Sequence, residues 1–203
     1  HGIKRVKGTN QSSKKPILIN DLKLIINVID EKNQSEKRKI RDRAIILVGF
    51  SGGFRRSELV NIEYEDVEFV TEGVKIFVKR SKTDQSGEGM TKAIPHFINS
   101  NYCPVKSLNE WFNKSGIKSG KIFNISDKSV ALIIKKYVSL AGLDANKYAG
   151  HSLRSGFATS TADAGAEERN IMAMTGHKTT QMVRRYIQEA NLFKNNALNK
   201  IKI

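Results

Sequence analysis

Apolar residues recur along this chain in two rhythms, and the switch between them divides it. Leu22, Leu24, Ile25, Val28 and Ile29 fall three or four positions apart, the spacing of one helix face, with Asn20 or Asp21 suited to cap its start. After a charged connection over 31–39, the same spacing predicts a helix from Lys37 to Gly49, with Ile40, Ala44, Ile45, Leu47 and Val48 inside. Gly52-Gly53 ends it, and a short helix is expected over 55–62. The rhythm then alternates. Val67–Val70, Val74–Lys79 and Lys92–Pro95 read as short antiparallel strands, joined by a turn at Thr71-Glu72-Gly73 and by a long polar loop over 81–89. Pro95 points to an edge strand. Helical spacing returns over 105–114, 127–141, 152–164, 167–174 and 180–187, with a last piece over 189–199. The expected fold class is mainly α with a small three-stranded antiparallel β-sheet (α+β).

Residues 1–18 have loop chemistry and no apolar period, so they read as a basic linker after a preceding domain. The main domain is expected over 19–188 and a tail helix over 189–203. At 39% hydrophobic and 27% charged, the composition is that of an ordinary globular protein. No apolar run approaches the roughly 18 residues of a membrane helix. The basic N-terminal stretch lacks the apolar centre of a signal peptide, which points to the cytoplasm and away from a membrane. One cysteine, Cys103, excludes an internal disulfide and a cysteine-based metal cluster, and it reads as a half-buried small apolar residue.

Charge changes the picture more. The formal net charge is +15, which favours a polyanionic partner, most simply a phosphate backbone. Residues 1–19 carry Lys4, Arg5, Lys7, Lys14 and Lys15 with no acid among them, so these five are candidate DNA-binding groups whose hold would weaken with salt.

The candidate chemistry lies mostly between Gly150 and Tyr186. His151 and Arg154, three apart, share one face of a helix, beside an apolar seam of Leu153, Phe157, Ala158, Thr161 and Ala162. Gly165 and Gly176 are helix stops, His177 follows, and Tyr186 comes nine residues later. Two groups able to move protons, a guanidinium and a phenol suit a phosphodiester. Earlier, Gly53-Phe54-Arg55-Arg56-Ser57-Glu58-Leu59 sets an arginine directly after a glycine pair, with Glu58 placed to fold back on it. Lys82 stands in the long hairpin loop. Arg184 and Arg185, which precede Tyr186, are expected to face elsewhere on the helix as backbone contacts or surface, and His96 carries no motif. No acidic cluster has metal-ligand spacing, so no metal is expected.

In this order, the Gly53–Leu59 segment, a hairpin lysine, His151-Ser152-Leu153-Arg154, Gly176-His177 and Tyr186 resemble the tyrosine recombinase (phage integrase) family across nearly the whole chain. The resemblance implies that family's catalytic-domain fold over 19–188 and a core-binding domain ahead of the linker. It makes Tyr186 the nucleophile, which leaves a 3′-phosphotyrosyl bond and a free 5′-hydroxyl. Arg55 and Arg154 would hold the non-bridging oxygens, His151 would act as base, and His177 would hydrogen-bond the phosphate. Glu58 would orient Arg55. Lys82 would be the general acid, with Lys79 and Lys92 still open because this hairpin loop is longer than the family's common turn. The implied activity is site-specific strand exchange without a cofactor, on double-stranded DNA with paired target sites. Four protomers would act through a Holliday junction, with a monomer or weak oligomer when free and a nucleoid location when bound. The tail would dock on a neighbouring protomer or cover its own core. The alternatives are relaxation like that of a type IB topoisomerase and a catalytically silent DNA-binding factor.

Overall fold

The structure, a computed structural model, describes residues 14–79, 88–191 and 197–201. Lys4, Arg5, Lys7 and Lys82 lie outside the described residues.

Helix α2 (Glu36–Ser51) sets the architecture. Residues 44–51, Ala-Ile-Ile-Leu-Val-Gly-Phe-Ser, are buried on every side. A helix apolar all round needs neighbours all round, and α1 (Ile19–Glu31), α4 (Pro104–Ser115), α5 (Asp127–Leu140) and α6 (Ser152–Asp163) supply them. In α1 the buried face is Leu22, Ile25, Ile26 and Ile29, while Leu24 is exposed, contrary to expectation. The reason is angular: 22, 25, 26 and 29 form one stripe, and position 24 falls outside it. Nor does Asn20 or Asp21 cap this helix; Leu18 holds the cap position, and the Asp21 carboxylate accepts from the Tyr148 hydroxyl at 2.9 Å.

The sheet runs β1 (Val67–Val70), β2 (Gly73–Val78), β3 (Met90–Pro95) in that order, all antiparallel. Pro95 stands on an edge strand opposite Gly73. Val74, Ile76, Val78 and Ile94 face inward, and so does a lysine, Lys92.

The remaining elements are α3 (Arg56–Val60), α7 (Glu168–Thr175) and α8 (Thr180–Asn191). The tail expected as a separate helix divides differently: residues 189–191 continue α8, and Ala197–Lys200 form a 3-10 turn.

Part of the stretch assigned to the linker is packed. Lys15 N–H donates to the Lys147 carbonyl at 2.6 Å and Ile17 N–H to that of Ser152 at 2.9 Å, and Ile17 is fully buried. Gly156 on α6 permits this approach, since a Cβ there would stand 1.9 Å from the Ile17 oxygen. Cys103 is buried outright rather than half-buried. Among the described residues no helix is long and apolar enough to cross a membrane.

Two apolar clusters result. The main one runs from Ile17 to Leu153 through α1–α5 and the sheet. The second, smaller one is Ala158, Ala162, Ile171 and Val183, with Met172, Tyr186 and Ile187 against it, and it joins α6, α7 and α8.

Candidate active site

Each charged group of the site is placed by a local break in regular structure. At the end of α2, Gly53 adopts φ 54°, a left-handed turn open to glycine, and Phe54 N–H returns to the Gly49 carbonyl at 3.1 Å. The chain thus turns sharply and presents Arg55 ahead of α3. Glu58 folds back as its spacing suggests: Oε2 accepts from the Arg55 backbone N–H at 2.9 Å and Oε1 pairs with Arg55 Nη1 at 2.5 Å. With Glu58 buried, this is a charge-assisted pair in a dry setting, which fixes the guanidinium's direction.

Helix α6 brings the second guanidinium. Arg154 is 2% exposed, and its Nη1 donates to the Gly53 carbonyl at 2.8 Å, so both arginines are tied to one glycine turn. Its Nη2 is buried and has no hydrogen-bond partner among the described residues. Burial first, then Arg55, pushes the Arg154 guanidinium down to about 10, against the opposing pull of Glu58 and Tyr186. A buried, unsatisfied N–H beside a second guanidinium is a site prepared for an anionic oxygen.

His151 sits at the start of α6, exposed at the mouth of the cleft. Loss of water around its ring, then Arg154, Arg55 and Arg56, lowers its pKa from the ordinary histidine value, which favours the neutral ring. His177 follows the left-handed Gly176 that ends α7. Burial, then Arg154, Arg55, His151 and Lys92, lowers it to about 4. Its tautomer follows from hydrogen bonding. The Thr175 hydroxyl gives its one proton to the Ile171 carbonyl at 2.6 Å, so at 2.8 Å from His177 Nδ1 it must accept. The neutral ring therefore carries its hydrogen on Nδ1 and leaves Nε2 as an acceptor.

Tyr186, on α8, stacks on His177 with ring centres 6.1 Å apart and planes 30° apart. It is half-buried and opens into a cleft of about 560 Å³ lined also by Lys14, Lys15, His151, His177 and Arg185. Arg55, His151, Arg154, His177 and Tyr186 are thus brought together, with Glu58 behind Arg55. Of the five basic linker candidates, Lys14 and Lys15 reach the cleft, and Lys14 Nζ also donates to the Asn146 carbonyl at 2.7 Å. Arg185, expected on another side of the helix as a backbone contact or surface residue, is exposed and also lines the cleft.

The two alternative lysines are both engaged. Lys79 pairs with Glu63, and with Asp66 at 3.1 Å, contacts that raise its pKa. Lys92 is 0% exposed and bonded to two carbonyls, with no face left for a leaving oxygen.

A sequence model of the Phage integrase family matches residues 17–192. The chain belongs to the phage integrase family. This integrase-family chain is 48% identical to the integrase/recombinase XerD homolog of Selenomonas ruminantium, over 98% of its own length and 61% of that protein's. It is 31% identical to a tyrosine recombinase of Agathobacter rectalis, over 78% of its length and 51% of that relative's. It therefore spans about half to three fifths of these curated relatives. Among solved structures, the XerH site-specific recombinase bound to its palindromic difH substrate superimposes with a TM-score of 0.74 at 19% identity, covering 96% of this chain and 58% of that one. XerA recombinase gives a TM-score of 0.70 at 20% identity, covering 95% and 66%. The fold is that of tyrosine recombinase catalytic domains.

Thr175, which fixes a tautomer through a helix-end geometry, escapes a reading by sequence, and the sequence named Lys92 and Arg185 without showing that β3 draws the one inward and that the other lines the cleft. For Lys92 a signal exists, since it occupies an inward position of an alternating strand.

Proposed function

We propose that this chain is the catalytic part of a site-specific DNA recombinase or integrase that breaks and rejoins strands through a 3′-phosphotyrosyl intermediate. The observation that carries the reading is the gathering of His151, His177 and the Tyr186 phenol at one cleft, with Arg55 and Arg154 close enough to act electrostatically on both histidines. Arg55 and Arg154 hold the non-bridging oxygens, and the unpartnered Nη2 of Arg154 supports that role. The Tyr186 oxygen attacks phosphorus, the P–O5′ bond breaks, and the phenol proton passes to His151, whose neutral form suits a base. Lys82 gives a proton to the departing 5′-oxygen; the engagement of Lys79 and Lys92 elsewhere favours it. His177 begins as a neutral ring, and an arriving phosphate raises its proton affinity so that Nε2–H can donate. Because the phosphotyrosyl bond retains the diester's energy, neither ATP nor another cofactor is needed.

The partner is double-stranded DNA, with Lys4, Arg5, Lys7, Lys14 and Lys15 along its backbone. Residues 1–18 would lead from a core-binding domain, and strand exchange would proceed between paired sites in a tetramer, on the nucleoid. Similarity to recombinases solved on DNA supports this reading.

The test is incubation with a nicked suicide duplex, comparing wild type with Tyr186→Phe. Wild type should form an adduct that survives denaturation, and the variant should bind without forming one. An adduct from both would remove Tyr186 from its role, and none from wild type would favour the silent DNA-binding factor. Relaxation of supercoiled DNA lacking any paired site would indicate a topoisomerase.

A further inference from the structure

Lys92 is a fully buried charge among the site's residues to which the proposed reaction gives no task. It sits on β3 opposite Ile76, between exposed Thr91 and Ala93, where alternation favours an apolar side chain. A buried charge is expensive unless it is paired and hydrogen-bonded, and Lys92 is both. Nζ donates to the Gly52 carbonyl at 2.8 Å and to the Met174 carbonyl at 2.6 Å. It stands 3.8 Å from Glu58 Oε2 and 4.5 Å from the centre of the Phe54 ring. Two of the three N–H donors of the ammonium are thus hydrogen-bonded, and its charge faces a carboxylate and an aromatic ring.

The contacts come from only two segments. Gly52, Phe54 and Glu58 bracket Arg55, and the Gly53 carbonyl between them holds Arg154. Met174 lies at the end of α7, next to Thr175, which orients His177. We propose that Lys92 is a positioning residue whose ammonium clamps the glycine turn of the two arginines to the turn of His177, and so sets the spacing of the phosphate-binding groups. The proposal rests on the recombinase reading and extends it to a residue that never touches the reacting atoms.

The charge adds a second consequence. Burial, with Arg154 and Arg55 nearby, brings the Lys92 ammonium down to about 7, and Glu58 opposes this. The charged or titratable groups facing it are Glu58 on α3, Arg55 ahead of it, Arg154 on α6 and His177 after α7. A phosphodiester entering among them adds negative charge and favours protonated Lys92. The clamp is therefore fully charged when its load is present.

Lys92→Met, which keeps length and burial but lacks the N–H donors, tests this by single-turnover cleavage of the nicked suicide duplex alongside duplex binding and thermal unfolding. The variant should bind the duplex nearly as well as wild type yet form adduct about 100-fold more slowly, the scale of loss expected from misplaced reacting groups. Cleavage at the wild-type rate by folded Lys92→Met overturns the proposal; absence of adduct from wild type overturns the recombinase reading instead. Should Lys92→Met fail to fold, lysine ε-carbon NMR of the Tyr186→Phe protein gives the answer. One lysine should titrate near pH 7 and shift upward on addition of the duplex. A Lys92 ammonium whose protons exchange with water as fast as those of the surface lysines is not held by the two carbonyls and overturns the proposal.

Discussion

The two sides of the cleft are held by unequal interiors. Arg55, Glu58 and Arg154 stand on segments anchored in the main cluster, where Phe54, Leu59 and Leu153 are buried, and they are tied to one another through Gly53. Tyr186 stands on a helix whose apolar support is Ala158, Ala162, Ile171 and Val183, two of them alanines. Small side chains bury little area, and stabilisation follows area, so α8 has much the weaker hold. Under the proposed function, the difference separates two jobs. Cations that stabilise developing charge work best when they need no rearrangement, whereas a nucleophile that must advance, attack and later withdraw gains from a shallow attachment.

The sharpest way to break this comparison is on the rigid side. Arg154→Lys keeps the charge but loses the fork that reaches both Gly53 and an anionic oxygen. Adduct formation should fall by about 10²–10³, or roughly 3–4 kcal/mol of transition-state stabilisation, as measured by single-turnover cleavage. A loss under tenfold would mean that the fixed geometry matters less than the charge.

The less firmly held side is probed by Val183→Ala, a deletion in the smaller cluster. It should cost about 1–2 kcal/mol. In hydrogen exchange, α8 amides should open more readily while those of α2 keep their protection. Equal loosening of both helices would show that the two clusters unfold as one.

The smallest effect concerns pH. His177 titrates at about 4 when folded, against about 6.5 in an unfolded chain. Between these values the unfolded chain binds the extra proton, so stability should rise with pH from about 4 to 6.5 and be flat above. After allowance for solvent screening the rise is about 1–2 kcal/mol. Urea titrations of wild type and His177→Gln at several pH values measure it, and parallel curves would place His177 in contact with water.

Much of this was legible from residue order. Alternation located all three strands, although β2 begins one residue and β3 two residues earlier than expected. Glycine stops located the ends of α6 and α7, since Gly165 and Gly176 adopt left-handed φ of 87° and 63°. Glu58 could be paired with Arg55 because a three-residue return is a local event. What escaped depended on distant partners. Leu24 looked like Leu22 to a spacing rule, and only the position of α2 decided which of them turned inward. Lys14 and Lys15 looked like free linker until Lys147 and Ser152 paired with the adjoining backbone.

The sequence alone determined which chemical groups exist, in what order, and on which helices and strands, because capping, turning and amphipathic spacing act over a few residues. Tertiary structure alone decided their electrical state and the company each keeps. The lowered histidines and a lysine brought near neutrality arise from the removal of water and from Arg55, which lies more than 30 positions from each of them; only the Arg154 beside His151 was a local pattern.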